Sequence, residues 1–192
     1  MKLQVGILVF DDAEELDFTG PLGVFSMSAR FGAPCTTAIV AESLQPVRCR
    51  EGLVVVPAGT IAAETFDILI VPGGLGARTH ALQNQNILSF VRLPHRYIAS
   101  VCTGALILAA AGVLQGERAT THHGSLDTLR RYKGVEVCAG ARFILGEKVG
   151  TSAGVSAGID LSLALVRRTW GEKVAELIAE NLEWQGTQWR CA

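Results

Sequence analysis

Three apolar segments of strand length, residues 3–9, 66–71 and 97–101, constrain this chain most. A strand that is apolar on both sides must be covered on both sides, and that is the condition of a parallel sheet held between two layers of helix. Helix-like runs fall between and after these segments, at residues 19–31, 79–93, 104–114, 125–132, 156–170 and 172–183. Pro21 near the start and Gly32 just past the end bracket the first of them. Residues 36–41 read as a further strand, residues 47–56 as a hairpin turning at Glu51-Gly52, and residues 136–149 as short strands around Gly146. The alternation predicts an α/β three-layer sandwich with a mostly parallel sheet of flavodoxin-like type. No linker or repeat is visible, so residues 1–192 are expected to form one domain.

Charge narrows the partners. Lys and Arg number 17 against 18 Asp and Glu, a net charge of −1, which argues against nucleic acid or an anionic membrane. Hydrophobic residues make up 49% of the chain, yet its longest apolar run, residues 105–114, is half the ~20 residues that a bilayer needs. The apolar surface is expected inside the domain and partly at a subunit interface. Residues 3–10 run straight into Asp11, Asp12, Glu14, Glu15 and Asp17 with no small-residue cleavage site, unlike a signal peptide. The five cysteines, Cys35, Cys49, Cys102, Cys138 and Cys191, form no CxxC pair and read as reduced, cytoplasmic thiols. No HxxxH or HxH pair occurs, and no metal centre is expected.

In a parallel sheet the site lies beyond the C-terminal strand ends. Cys102 stands at such an end, with Ser100 and Gly104 flanking it and a helix following at once. That arrangement suits a nucleophile elbow, in which the side chain is forced outward, and a helix N-terminus beneath it would lower the thiol pKa. The alternative is a cysteine that only packs. Gly73-Gly74 closes the preceding strand; it is either a tight turn or a place where the N–H of Gly74, with that of Thr103, makes an anion hole. The glycines fit neither a Walker loop nor a GxGxxG fingerprint.

Asp17 precedes the expected helix, and reads either as its cap or as a partly buried carboxyl facing Cys102. The other acids of this segment are expected in solvent. His122 and His123 follow Thr120-Thr121, and at most one of them faces the site. His80 and His95 are expected at the surface. Cys35, Cys49 and Cys138 are expected to pack, with Cys191 in the tail.

Five segments together carry a family resemblance: Asp17-Phe-Thr-Gly-Pro-Leu, Val71-Pro-Gly-Gly74, Ser100-Val-Cys-Thr-Gly-Ala105, Ala119-Thr-Thr-His122 and Thr151-Ser-Ala-Gly-Val-Ser-Ala-Gly-Ile-Asp160. Over essentially its full length the chain resembles the PfpI-like branch of the class I glutamine-amidotransferase-like superfamily. The resemblance implies a nucleophile at Cys102, an acid/base at Asp17, a supporting hydroxyl at Thr103 and an oxyanion pocket around Gly73, Gly74 and Thr103, with His122 near the thiol. It also implies a homodimer, no cofactor, and hydration of a small isonitrile to an N-substituted formamide. Relatives acting as proteases or glutaminases place His after the nucleophile or a His–Glu pair downstream; here Thr103 follows Cys102, and Ser152-Ala-Gly-Val-Ser156 has no His. Where the hydratase-like pattern has Trp after the His, this chain has His123.

The chemistry fits those residues. An isonitrile carbon needs a proton and a nucleophile at one atom, and a carboxyl and a thiol supply both. The alkyl group is expected in a pocket lined by aliphatic residues. Two other readings stay open: a non-catalytic ligand or redox sensor of the same fold, and a cysteine-dependent stress enzyme acting on aldehydes or glycated groups. Similar segments occur in regulators that add a helix-turn-helix; the sequence stops at Ala192, and no such module is expected.

Overall fold

The computed structural model describes residues 2–62 and 65–191; Met1 and Ala192, the ends of the expected domain, lie outside the described residues. The strands are β1 (Leu3–Leu8), β2 (Cys35–Ala41), β3 (Val47–Arg48), β4 (Val54–Val55), β5 (Gly59–Thr60), β6 (Ile68–Val71), β7 (Tyr97–Ser100), β8 (Arg118–Ala119), β9 (Glu136–Val137), β10 (Phe143–Leu145) and β11 (Val149–Ser152). The helices are α1 (Glu15–Ser28), α2 (Leu75–Arg78), α3 (Gln85–Val91), α4 (Gly104–Ala110), α5 (Leu126–Leu129), α6 (Ala157–Trp170) and α7 (Glu172–Asn181). Among the described residues, seven strands form the central sheet in the order β10-β11-β7-β6-β1-β2-β5. Its neighbours pair parallel throughout except β10 against β11. Helix α1 packs with α6 and α7, while α2, α3, α4 and α5 form a second group. The fold is thus the expected α/β sandwich around a mostly parallel sheet.

The chain adds β2 and β5 on one side of β1, then returns to add β6, β7 and β11 on the other. Direction reverses at the β1/β6 boundary, and the loops after β1, β6 and β7 meet there. All of β6 and β7 is buried, as their unbroken apolar character predicts. Among the described residues no helix is long and apolar enough to cross a membrane.

Several expected boundaries move. Helix α1 begins at Glu15, four residues ahead of Thr19, so Pro21 lies inside it and Asp17 in its first turn. The start is set from outside the helix. The Glu14 N–H donates to the Gly73 carbonyl at 3.0 Å, and Ala13 bridges to Gly74. The acids of this loop are also less free than expected. Asp11 Oδ1 accepts the Arg48 N–H, and Glu15 Oε1 accepts those of Glu51 and Leu53, tying the 47–56 hairpin to the loop.

Residues 79–93 are not one helix. A 3₁₀ turn at Ala81–Gln83 precedes α3, which starts afresh because Asn84 Oδ1 caps the N–H groups of Asn86 and Ile87. His95 is half-buried rather than superficial. Its Nδ1 accepts the Phe66 N–H, its Nε2 donates to the Phe90 carbonyl, and its ring stacks on Phe66. His80 is exposed, as expected. The short strand β5 was not expected, and β11, the strand after Gly146, runs to Ser152, three residues past the expected end.

Candidate active site

The strand–turn–helix at Cys102 is sharp. Val101 N–H closes on the Val71 carbonyl at 3.0 Å, and α4 begins two residues after the cysteine. Gly104 is required there, since a Cβ would lie 2.2 Å from the Val71 carbonyl oxygen. Cys102 itself sits at φ 57°, a left-handed conformation that costs an L residue ~1–3 kcal/mol. Its neighbours hold it: Cys102 N–H donates to the Ala153 carbonyl, and Thr121 Oγ1 donates to the Cys102 carbonyl at 2.7 Å. The elbow expected from the flanking small residues is present. Thr121 was not foreseen as its brace.

Asp17 does not cap α1. The N-cap is Glu14, which makes no side-chain cap. Asp17 is fully buried; its Oδ2 accepts the Gly73 N–H at 2.9 Å, and its Oδ1 has no hydrogen-bond partner among the described residues. Burial pushes the carboxyl up to about 7, against the Gly73 N–H and with help from the Glu14 charge. Gly73 leaves no room for a side chain, because a Cβ would stand 2.5 Å from the Thr103 nitrogen and 2.9 Å from Asp17 Oδ2.

The thiol departs from expectation. Burial, and then the Asp17 charge, push Cys102 up to about 12, outweighing the N–H groups of Thr103 and Val155. The seven-residue helix α4 starts below it, but the helix dipole is the smaller influence beside burial and a neighbouring carboxylate. Cys102 therefore carries its proton at neutral pH, while Asp17 is about half protonated there.

The expected anion hole also changes. Gly74 N–H donates to Thr103 Oγ1 at 3.0 Å, and that hydroxyl returns a bond to the Gly74 carbonyl at 3.2 Å. Gly73 N–H is taken by Asp17. With both glycine N–H groups engaged inside the site, the N–H groups acting on the Cys102 sulfur are those of Thr103 and Val155. Val155 has φ 53°, an outlier for a β-branched residue, and sequence gives no sign of it.

Of the two histidines, His122 lines the cavity and His123 lies beside it, exposed, with ring centroids 4.1 Å apart and the rings tilted by 35°. The cavity above Cys102 and Thr103 has a volume of about 360 Å³. Glu14, Arg50, Glu51 and Arg78 bring charges to its walls, and Val155 is the aliphatic side chain on it. The expected aliphatic lining is absent from the described residues. The apolar residues of the strands point into the sheet faces, while the mouth is built by the hairpin loop and helix ends. Sequence reasoning missed these four charged residues, since nothing local marks them as neighbours of Cys102. Cys35 and Cys49 are buried, Cys138 is half-buried and Cys191 is exposed. Among the described residues no group of three or more His, Cys, Asp and Glu side chains is placed to hold a metal ion.

Comparison with known proteins bears on the family and the fold. Residues 3–168 match the DJ-1/PfpI family. The isonitrile hydratase of Pseudomonas putida is 35% identical over 188 residues, 96% of this chain and 79% of that protein. A ThiJ/PfpI family protein from Pseudomonas syringae superposes with a TM-score of 0.88 at 31% identity, over 97% of this chain and 77% of that one. Drosophila melanogaster DJ-1beta superposes with a TM-score of 0.84 at 19% identity, over 95% of this chain and 98% of that one, a likeness of fold.

Proposed function

The chain belongs to the DJ-1/PfpI family, and on that premise we propose that it is an isonitrile hydratase, a hydro-lyase that forms N-substituted formamides. The observation that carries this reading is the pairing of Asp17 with Cys102, a carboxyl and a thiol that each shift the other, the thiol protonated and the carboxyl about half protonated at neutral pH. The likeness to the Pseudomonas putida hydratase supports the choice of substrate class.

The proposed reaction keeps its protons within the pair. Asp17 gives its proton to the isonitrile carbon as the Cys102 sulfur attacks the same atom. The thiol proton returns to the Asp17 carboxylate, leaving a thioimidate and a neutral acid. A pKa of about 7 lets one group act as acid and then as base. Asp17 next gives that proton to the thioimidate nitrogen and draws one from water, whose hydroxide adds to the thioimidate carbon. The tetrahedral intermediate collapses, the C–S bond breaks, the hydroxyl proton passes to sulfur, and the formamide leaves. The Thr103 and Val155 N–H groups take up charge on sulfur as that bond breaks. Thr103 Oγ1 fixes Gly74 and so the floor of the pocket. No cofactor enters these steps.

A homodimer is part of the proposal. Leu53, Val54 and Val56 on the 47–56 hairpin are large apolar side chains left exposed, and a partner subunit would cover them. The test of function is incubation with cyclohexyl isocyanide and detection of N-cyclohexylformamide. Formation of the formamide by wild type and its loss in Cys102→Ala are expected. Turnover surviving in Cys102→Ala would overturn the mechanism, and saturable binding with no product would favour a sensor.

A further inference from the structure

We infer that the pocket wall made by Arg78 and His122 is an anion subsite, and that the isonitrile processed here carries a carboxylate. The inference rests on the hydratase reading and narrows its substrate. The charges around the cavity are unevenly satisfied. Arg50 faces Glu51, with Nε 3.2 Å from Oε1, and its charge also acts on Glu14. Arg78 has no carboxylate partner among the described residues, and its Nε makes one long bond, 3.4 Å, to the Gly74 carbonyl. Its guanidinium is exposed at the pocket wall with most of its donors unspent.

His122 completes the wall. Its Nδ1 accepts the Gly124 N–H at 3.1 Å, so the proton of the neutral ring is on Nε2. Burial, the neighbouring His123 and the Arg78 charge all lower its pKa, and the neutral ring sits beside a guanidinium without repelling it. Gly154 is what allows the ring to lie there, since a Cβ at that position would stand 2.5 Å from His122 Cδ2. A cation and an N–H donor thus line a pocket that, among the described residues, offers an alkyl tail the side chain of Val155 alone. A carboxylate on the substrate would engage the guanidinium in a fork and turn the isonitrile toward the thiol.

The experiment compares isocyanoacetate with its neutral methyl ester, and with cyclohexyl isocyanide. In wild type, kcat/KM is expected to favour the acid over the ester by roughly tenfold, the size of one charge-assisted hydrogen bond. The preference should shrink as ionic strength rises. Arg78→Met should bring the acid-to-ester ratio to about one, mainly through the KM of the acid, and Arg78→Lys should restore part of it. Arg131→Met, an exposed position that is not part of the cavity lining, should leave the ratio unchanged. A ratio that favours the ester, a ratio that survives Arg78→Met, or hydration of cyclohexyl isocyanide alone overturns the anion subsite and leaves the hydratase reading standing. Failure to hydrate any of the three overturns the hydratase reading and this inference with it.

Discussion

Replacing Asp17 by asparagine separates a buried acid from a buried structural group. In the folded chain the Asp17 carboxyl sits at about 7, whereas in the unfolded chain it ionises near its ordinary 3.8. The folded state therefore holds a proton that the unfolded state has released, and stability falls as pH rises from about 4 to about 7. The slope is about 1.4 kcal/mol per pH unit, about 4 kcal/mol in all, and it flattens above pH 8. Asparagine keeps the shape and can still accept the Gly73 N–H through its carbonyl, but it has no proton to lose. The unfolding free energy of Asp17→Asn, relative to wild type, should thus grow by several kcal/mol from pH 4.5 to pH 8. Urea unfolding followed by tryptophan fluorescence measures it, with Trp189 buried as the reporter. Formamide production should fall by roughly 10²–10⁴ in the same variant. A stability difference that stays constant with pH would show that Asp17 ionises normally in the fold. Near-normal turnover would remove it from the chemistry altogether.

Other outcomes follow from the same geometry. Cys102, pushed up to about 12, should react with iodoacetamide at pH 7 more slowly than exposed Cys191, and its labelling should climb with pH; peptide mass spectrometry reads both rates. Gly73→Ala drives a Cβ to 2.5 Å from the Thr103 nitrogen, so thermal unfolding should report a loss of about 1–3 kcal/mol, with turnover lost alongside. Thr103→Val leaves the buried Gly74 N–H without its acceptor, at a cost of about 1–3 kcal/mol in urea unfolding, and KM should rise as the pocket floor loosens.

What sequence could reveal here depended on whether the signal was local. Strands β6 and β7 and the residues that follow them were legible, because unbroken apolar runs closed by Gly73-Gly74 and by Cys102-Thr103 carry their own meaning. The run of β11 to Ser152 was not; Val-Gly-Thr-Ser has no strand period, and its small residues serve packing, with Gly150 lying against the Tyr97 hydroxyl. The start of α1 was misplaced because Pro21 mimics a first-turn proline, while the start is fixed by Glu14 bonding to Gly73, far along the chain. That shift moved Asp17 from a cap into the buried first turn. The thiol pKa was read with the wrong sign for a related reason. The helix N-terminus is written beside Cys102 in sequence, whereas burial and the approach of Asp17 come from three separate strand ends.

That sign bears on the kind of chemistry the site suits. Thiolate chemistry at neutral pH, whether oxidation sensing or acyl transfer, needs a cation or enough donors to outweigh burial at the sulfur. At Cys102 the charge that acts on the thiol is that of Asp17, and it raises the thiol instead. A protonated thiol beside a half-ionised carboxyl is poorly set for peroxide or an ester, but well set for a reactant that takes a proton and a sulfur at one carbon. The N–H groups of Thr103 and Val155 favour charge on sulfur without prevailing at rest. On the proposed path they matter when the C–S bond breaks, after the reacting carbon has taken the proton that Asp17 once held. The backbone holds Val155 and Cys102 at φ 53° and 57° with these N–H groups already acting on the sulfur, so charge that develops there meets donors fixed by the fold.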